Sequence, residues 1–76
     1  MEKALKEFAV GEEGTVKRIV AEGNIKRRLY DMGVTPGARI KVKKFATMGD
    51  PIEVTIRGYE LSLRKSEAEC VIMEVK

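Results

Sequence analysis

The sequence contains no histidine and no tryptophan, one cysteine, two prolines, two tyrosines and two phenylalanines among 76 residues. Each shortage removes a class of function. Without histidine the usual general base near neutral pH is missing. No serine or cysteine stands beside another credible base, so the chain reads as a non-enzyme. A transition-metal centre needs several converging nitrogen, sulfur or oxygen ligands. Cys70 stands alone, and Asp50, Glu53, Glu60 and Glu69 are scattered along the chain, so neither a specific metal site nor a cofactor is expected. A single cysteine closes no intramolecular disulfide, which fits a reducing, cytoplasmic setting; Cys70 reads as a small, partly buried hydrophobe opening the last strand. No apolar run approaches the roughly 20 residues of a membrane-spanning helix. The charged opening, Met1 to Glu7, lacks the apolar stretch of a signal peptide. A soluble chain with no direct membrane insertion is the expectation.

What is abundant is charge, at 36% of residues, with 15 basic and 12 acidic side chains. Residues 26–44 carry seven basic groups and one acidic, whereas the flanking stretches are close to neutral or acidic. This middle segment alone has a strong field. It suits an acidic protein surface, a phosphate backbone or an anionic membrane face, or serves only as a solvated face. At this length the chain is expected to be a single domain, 1–76. Such a domain buries only roughly 60% of its unfolded surface.

Periodicity organises the rest. Gly14 to Ala21 is β-branched and reads as a strand, with Val16, Ile19 and Val20 breaking alternation as a bulge would. Asn24 to Met32 reads as a helix, with Asn24 as its N-cap and Ile25, Leu29 and Met32 on one buried stripe. Gly33 stands at the left-handed position after the helix. Thr35-Pro36-Gly37-Ala38 has the type II turn pattern. Arg39 to Phe45 alternates clearly at first, with Ile40 and Val42 inward and Arg39, Lys41 and Lys43 outward. Gly49-Asp50-Pro51 marks a loop. A two-residue turn at Arg57-Gly58 pairs Ile56 with Tyr59, Val54 with Leu61 and Ile52 with Leu63, all on one face. Ser66 to Glu69 has the capping-box form of one helical turn, and Val71, Met73 and Val75 form a last strand. Four or five short strands, one short helix and a helical turn make a mostly β, antiparallel barrel.

Residues 25–37, Ile-Lys-Arg-Arg-Leu-Tyr-Asp-Met-Gly-Val-Thr-Pro-Gly, and residues 49–65, Gly-Asp-Pro-Ile-Glu-Val-Thr-Ile-Arg-Gly-Tyr-Glu-Leu-Ser-Leu-Arg-Lys, resemble two elements of the ferrous iron transport protein A (FeoA) family. Val10-Gly11-Glu12-x-Gly14-x-Val16 and the tail from Ala68 to Val75 fit the same family, so the likeness runs through nearly the whole chain. This resemblance implies an SH3-like barrel and a cytosolic accessory role to FeoB, the membrane ferrous-iron transporter that carries a GTP-binding domain. The family fold also occurs as the C-terminal domain of metal-dependent repressors. A chain that starts at Met1 with no room for a helix-turn-helix is expected to be a stand-alone relative instead.

Binding is therefore the expected activity. Candidate contacts are Lys26, Arg27 and Tyr30 on the helix, Arg39, Lys41 and Lys43 on the next strand, and Phe45 and Met48 with Tyr59 as a loop-side patch. Gly33, Pro36, Gly37, Gly49, Asp50, Pro51 and Gly58 are the structural turn residues. The competing class is a small RNA-binding barrel, which the basic segment favours. The few stacking aromatics and acidic flanks weigh against nucleic acid.

Overall fold

The Arg57-Gly58 turn sets the register of the sheet. β4 (Ile52–Ile56) and β5 (Tyr59–Leu63) pair Ile56 with Tyr59, Val54 with Leu61 and Ile52 with Leu63, as the alternation requires. Arg57 and Gly58 take φ of 49° and 85°, the two positive values of the type I′ turn whose twist matches that of its strands. These observations come from a computed structural model that describes residues 1–46, 48 and 50–76. The expected turn residue Gly49 lies outside the described residues. Asp50 and Pro51 are described and precede β4, joined by a cis peptide bond.

β3 (Arg39–Phe45) runs antiparallel to β4 and is expected with these bounds. Ile40 faces Ile56 and Val42 faces Val54, after which the register shifts so that Phe45 faces Ile52. Lys43 is the additional residue of that bulge, and it restores the inward direction at Phe45. β2 (Glu13–Ile19) is one residue earlier at its start and two shorter at its end than expected. Its register against β6 (Val71–Val75) shifts between Val16 and Arg18, the bulge that the broken alternation implied. Val20 falls beyond the strand and is exposed.

The described residues make six strands in the order β1-β6-β2-β3-β4-β5, more than the four or five expected. The additional strand is β1 (Glu2–Ala4), which pairs antiparallel with β6. Three residues between charged neighbours carry no readable period, yet they lead into a 3-10 turn, Leu5–Glu7, that sends Leu5 and Phe8 into the core. Chain ends meet here: the Met1 amino group is ion-paired with Glu74, and the Val75 N–H donates to the Met1 carbonyl at 2.8 Å. On β2, Gly14 lies under the Phe8 ring. A Cβ at this position would stand 2.4 Å from the Glu74 carbonyl oxygen and 3.1 Å from two ring carbons.

Between β2 and β3, α1 spans Gly23–Asp31. Glu22, not Asn24, is its N-cap residue and no side chain caps it. Leu29 is fully buried and Met32 partly so, whereas Ile25 is 42% exposed. The stripe therefore reaches the core only in its later half. At the far end Gly33 adopts φ 90° and Val34 returns its N–H to the Leu29 carbonyl at 2.9 Å. The following turn closes through Ala38 N–H to Thr35 O at 2.9 Å, with Gly37 at φ 93°.

A second helix, α2 (Lys65–Ala68), follows β5. Its capping residue is Glu67 paired with Arg64, rather than Ser66 with Glu69: Glu67 Oε1 accepts the Arg64 N–H at 2.9 Å. Asp50 Oδ1 accepts the Lys65 N–H at 3.0 Å. The loop before β4 thus accepts the first helical N–H, which the Glu67 contact leaves open. Arg28 on α1 reaches Glu67 on α2, and Tyr59 at the start of β5 donates its hydroxyl to the Met32 carbonyl at 2.8 Å. α1 is therefore tied at its end to the start of β5 and at Arg28 to α2.

Candidate partner-binding surface

The expected basic residues occupy two places. Lys26, Arg27 and Tyr30 stand on exposed positions of α1. The Lys26 ammonium lies 5.8 Å from the centre of the Tyr30 ring, a cation–π distance set by their i, i+4 spacing on one helix face. Tyr30 is 42% exposed. Arg39, Lys41 and Lys43 point outward from β3 because Ile40 and Val42 point inward. The two sets therefore stand on different elements, one on the helix and one on the strand that follows it.

Acidic side chains divide the field further. Lys43 is ion-paired with Glu60 and Lys44 with Glu53, and Arg28 is held by Glu67 at 3.2 Å. Glu60 also raises the Lys43 pKa, through the hydrogen bond first and the opposite charge second. Lys26, Arg27, Arg39 and Lys41 form no ion pair among the described residues. Glu13, opposite Lys41 in the β2–β3 ladder, has its pKa lowered chiefly by a hydrogen bond from Lys76, with smaller contributions from Arg39 and Lys41. The outer face of β3 keeps two free cations at its first half and neutral pairs at its second.

The aromatic and loop candidates do not form one patch. Phe45 is half-buried against the core and pairs with Ile52, while Tyr59 pairs with Ile56 at the other end of β4. Four residues of strand, about 13 Å, separate them. Met48 stands at 93% exposure with φ 66°. Tyr59 is instead part of a clamp on α1: its hydroxyl meets Met32, and Arg57 donates to Thr35 Oγ1 at 3.2 Å.

Sequence reading missed the cleft between α1 and α2. Asn24, Ile25, Arg28, Arg64, Ser66 and Glu67 line a cavity of about 270 Å³. Glu67 is 5% exposed; its carboxylate joins Arg28 to the Arg64 backbone. Ile25 facing out of the core was the available signal, but its periodicity matched a buried stripe equally well. Cys70, between α2 and β6, is half-buried, with Sγ 3.4 Å from the Ser66 carbonyl. No group of three or more cysteine or acidic side chains among the described residues is placed to hold a metal ion.

The family model described as the FeoA domain matches residues 3–75. The chain belongs to the FeoA family. A curated relative from Porphyromonas gingivalis, an Fe(2+) transport protein A/Fe(2+) transporter FeoB fusion protein, is 30% identical over 71 residues, which are 93% of this chain and 8% of that protein. The chain thus spans a small part of the curated relative it matches. The FeoA-like protein of Clostridium acetobutylicum is 42% identical, with a TM-score of 0.90 over 97% of this chain and 86% of its own. FeoA of Stenotrophomonas maltophilia, solved with zinc and described as a prokaryotic SH3 domain protein, is 25% identical with a TM-score of 0.82 over 95% and 89%. The six-strand barrel is accordingly SH3-like. A manganese-dependent transcriptional repressor shares the fold at 23% identity and a TM-score of 0.92, over 99% of this chain and 37% of its own. FeoA membership links this chain to ferrous iron transport, and no helix of the described residues is long and apolar enough to cross a membrane.

Proposed function

We propose that this FeoA domain acts as one unit over residues 1–76, in the cytoplasm, as a non-enzymatic accessory that binds the cytosolic part of FeoB and modulates its assembly or nucleotide cycle. The observation that carries the proposal is the Porphyromonas gingivalis relative, in which an FeoA portion and the transporter are one polypeptide. Covalent fusion raises the effective concentration of two modules that work in contact. Electrostatics supports it: Lys26 and Arg27 on α1, and Arg39 and Lys41 on β3, are free cations flanking an ion-paired middle, an arrangement that an acidic partner surface complements. Leu29 and Met32 pack inward and hold α1 in place without touching the partner. The RNA-binding alternative loses weight because Arg28, Lys43 and Lys44 are already neutralised within the fold.

The test is the association rate with the cytosolic region of FeoB. Exchanging Arg27 and Lys41 together for Glu leaves the melting midpoint nearly unchanged, since exposed charges contribute little to stability. It slows association, and the wild-type rate falls as salt rises. A double variant that associates at the wild-type rate in low salt would reduce the cations to a solubility device and move the contact to the segment from Phe45 to Pro51.

A further inference from the structure

The cleft between α1 and the β5–α2 junction combines three features that the fold does not itself require. Ile25 is 42% exposed on a helix whose other aliphatic residue, Leu29, is fully buried. Arg64 is exposed and forms no ion pair among the described residues. Arg28 is oriented from behind by Glu67, a buried carboxylate, through a contact to Nε at 3.2 Å. That ion pair lies at Nε and leaves the terminal nitrogens available to a second carboxylate. Because Glu67 already restrains the side chain, little further entropy is lost when a ligand is bound.

We propose that this cleft receives an acidic peptide segment of the partner, in which a carboxylate sits beside an aliphatic side chain. The carboxylate lies between Arg28 and Arg64, the aliphatic group covers Ile25, and Asn24 and Ser66 offer hydrogen bonds at the rim. Two arginines against one buried glutamate leave the cleft with net positive charge, so an acidic segment is favoured over a basic or neutral one. The cavity, about 270 Å³, suits one or two side chains rather than a folded surface. Glu67 acts here as a positioning residue. The assignment rests on the partner-binding function proposed above and adds to it a second contact, distinct from Arg27 and Lys41.

The probe is a synthetic peptide, Ser-Leu-Glu-Leu-Ser with both ends blocked, titrated into nitrogen-15-labelled protein beside its counterpart with Gln for Glu. The Glu peptide is expected to shift the amides of Asn24, Ile25, Arg28, Arg64 and Ser66 saturably at millimolar concentration. The Gln peptide and the Arg64→Ala variant are each expected to bind roughly tenfold more weakly, the loss of a charge-assisted contact. Ile25→Ser is expected to weaken both peptides. Equal binding of the two peptides, shifts centred elsewhere, or no saturable shift would each overturn the proposal. Failure of wild-type protein to bind the cytosolic region of FeoB would instead overturn the function proposed above, and the peptide titration decides the cleft either way.

Discussion

Replacing Gly14 with alanine adds one methyl group where two layers of backbone meet. The new Cβ would lie 2.4 Å from the Glu74 carbonyl oxygen, against about 3.3 Å for the nearest comfortable carbon–oxygen approach. β2 and β6 must therefore part locally by roughly 0.9 Å, or Glu74 must rotate out of its ladder. Neither is cheap, because β6 is paired with β1 on one side and β2 on the other. The Phe8 ring, 3.1 Å from the same point, cannot retreat without opening the core. Overpacking of this kind costs about 1–3 kcal/mol, and the unfolded chain's lost freedom returns less than about 1 kcal/mol. A net loss of about 1–2 kcal/mol lowers the melting midpoint of a domain this size by roughly 4–16 °C. Thermal unfolding followed by circular dichroism measures it. Phe8→Leu in the same background should recover little, because the carbonyl oxygen remains. A midpoint within about 3 °C of wild type, or full recovery on Phe8→Leu, would refute the assignment of the backbone contact as the obstacle.

Four further outcomes are expected. Gly33→Ala places a Cβ 2.9 Å from the Tyr59 hydroxyl at φ 90°; it should destabilise the fold, and less so in a Tyr59→Phe background, as a double-mutant cycle in urea would read. At Gly58 a Cβ would meet no neighbouring atom, so the cost of Gly58→Val is chiefly backbone strain, about 1–3 kcal/mol; an unchanged melting curve would count against the turn. The pKa values of Glu12, Glu13 and Glu74 lie below the usual 4.5, through hydrogen bonds from the Ala9 N–H, Lys76 and the terminal amino group respectively. Their stabilisation is complete above the unfolded pKa and is lost as pH falls through the lower folded values, so the midpoint should drop in acid, and by less in high salt. Zinc and ferrous iron should bind only weakly; a tight stoichiometric isotherm in calorimetry would contradict the residue inventory.

The hairpin was legible because its information is local: period-two alternation meets a two-residue turn in one register, and a slip would expose Val54 and Leu63. Both bulges left a trace as broken alternation, at Val16–Ile19 and after Val42. β1 left none, since its three residues are defined by β6, far along the chain. The same limit hid the support of α2. Its first N–H is accepted by Asp50, fifteen residues earlier, and Arg64 has no cap-like side chain to announce the helix. Ile25 shows the converse error: helical spacing gives a residue's face on the helix but not how much core lies under that face. The cleft with Arg28, Arg64 and Glu67 depends on how α1 meets α2, which no periodicity encodes. Charge was legible in sum and not in detail, because Glu53 and Glu60 neutralise Lys44 and Lys43 only through strand pairing.

Met1 and Val75 are hydrogen-bonded neighbours, so both ends of the barrel leave from the same pole. A tether attached at either end starts from nearly one point, and a body hung on it sees the same sides of the domain turned towards it. Order of attachment can then change, module before transporter or after it, without re-aiming α1 or its cleft. Length of tether, rather than its end of origin, would govern which faces can be reached.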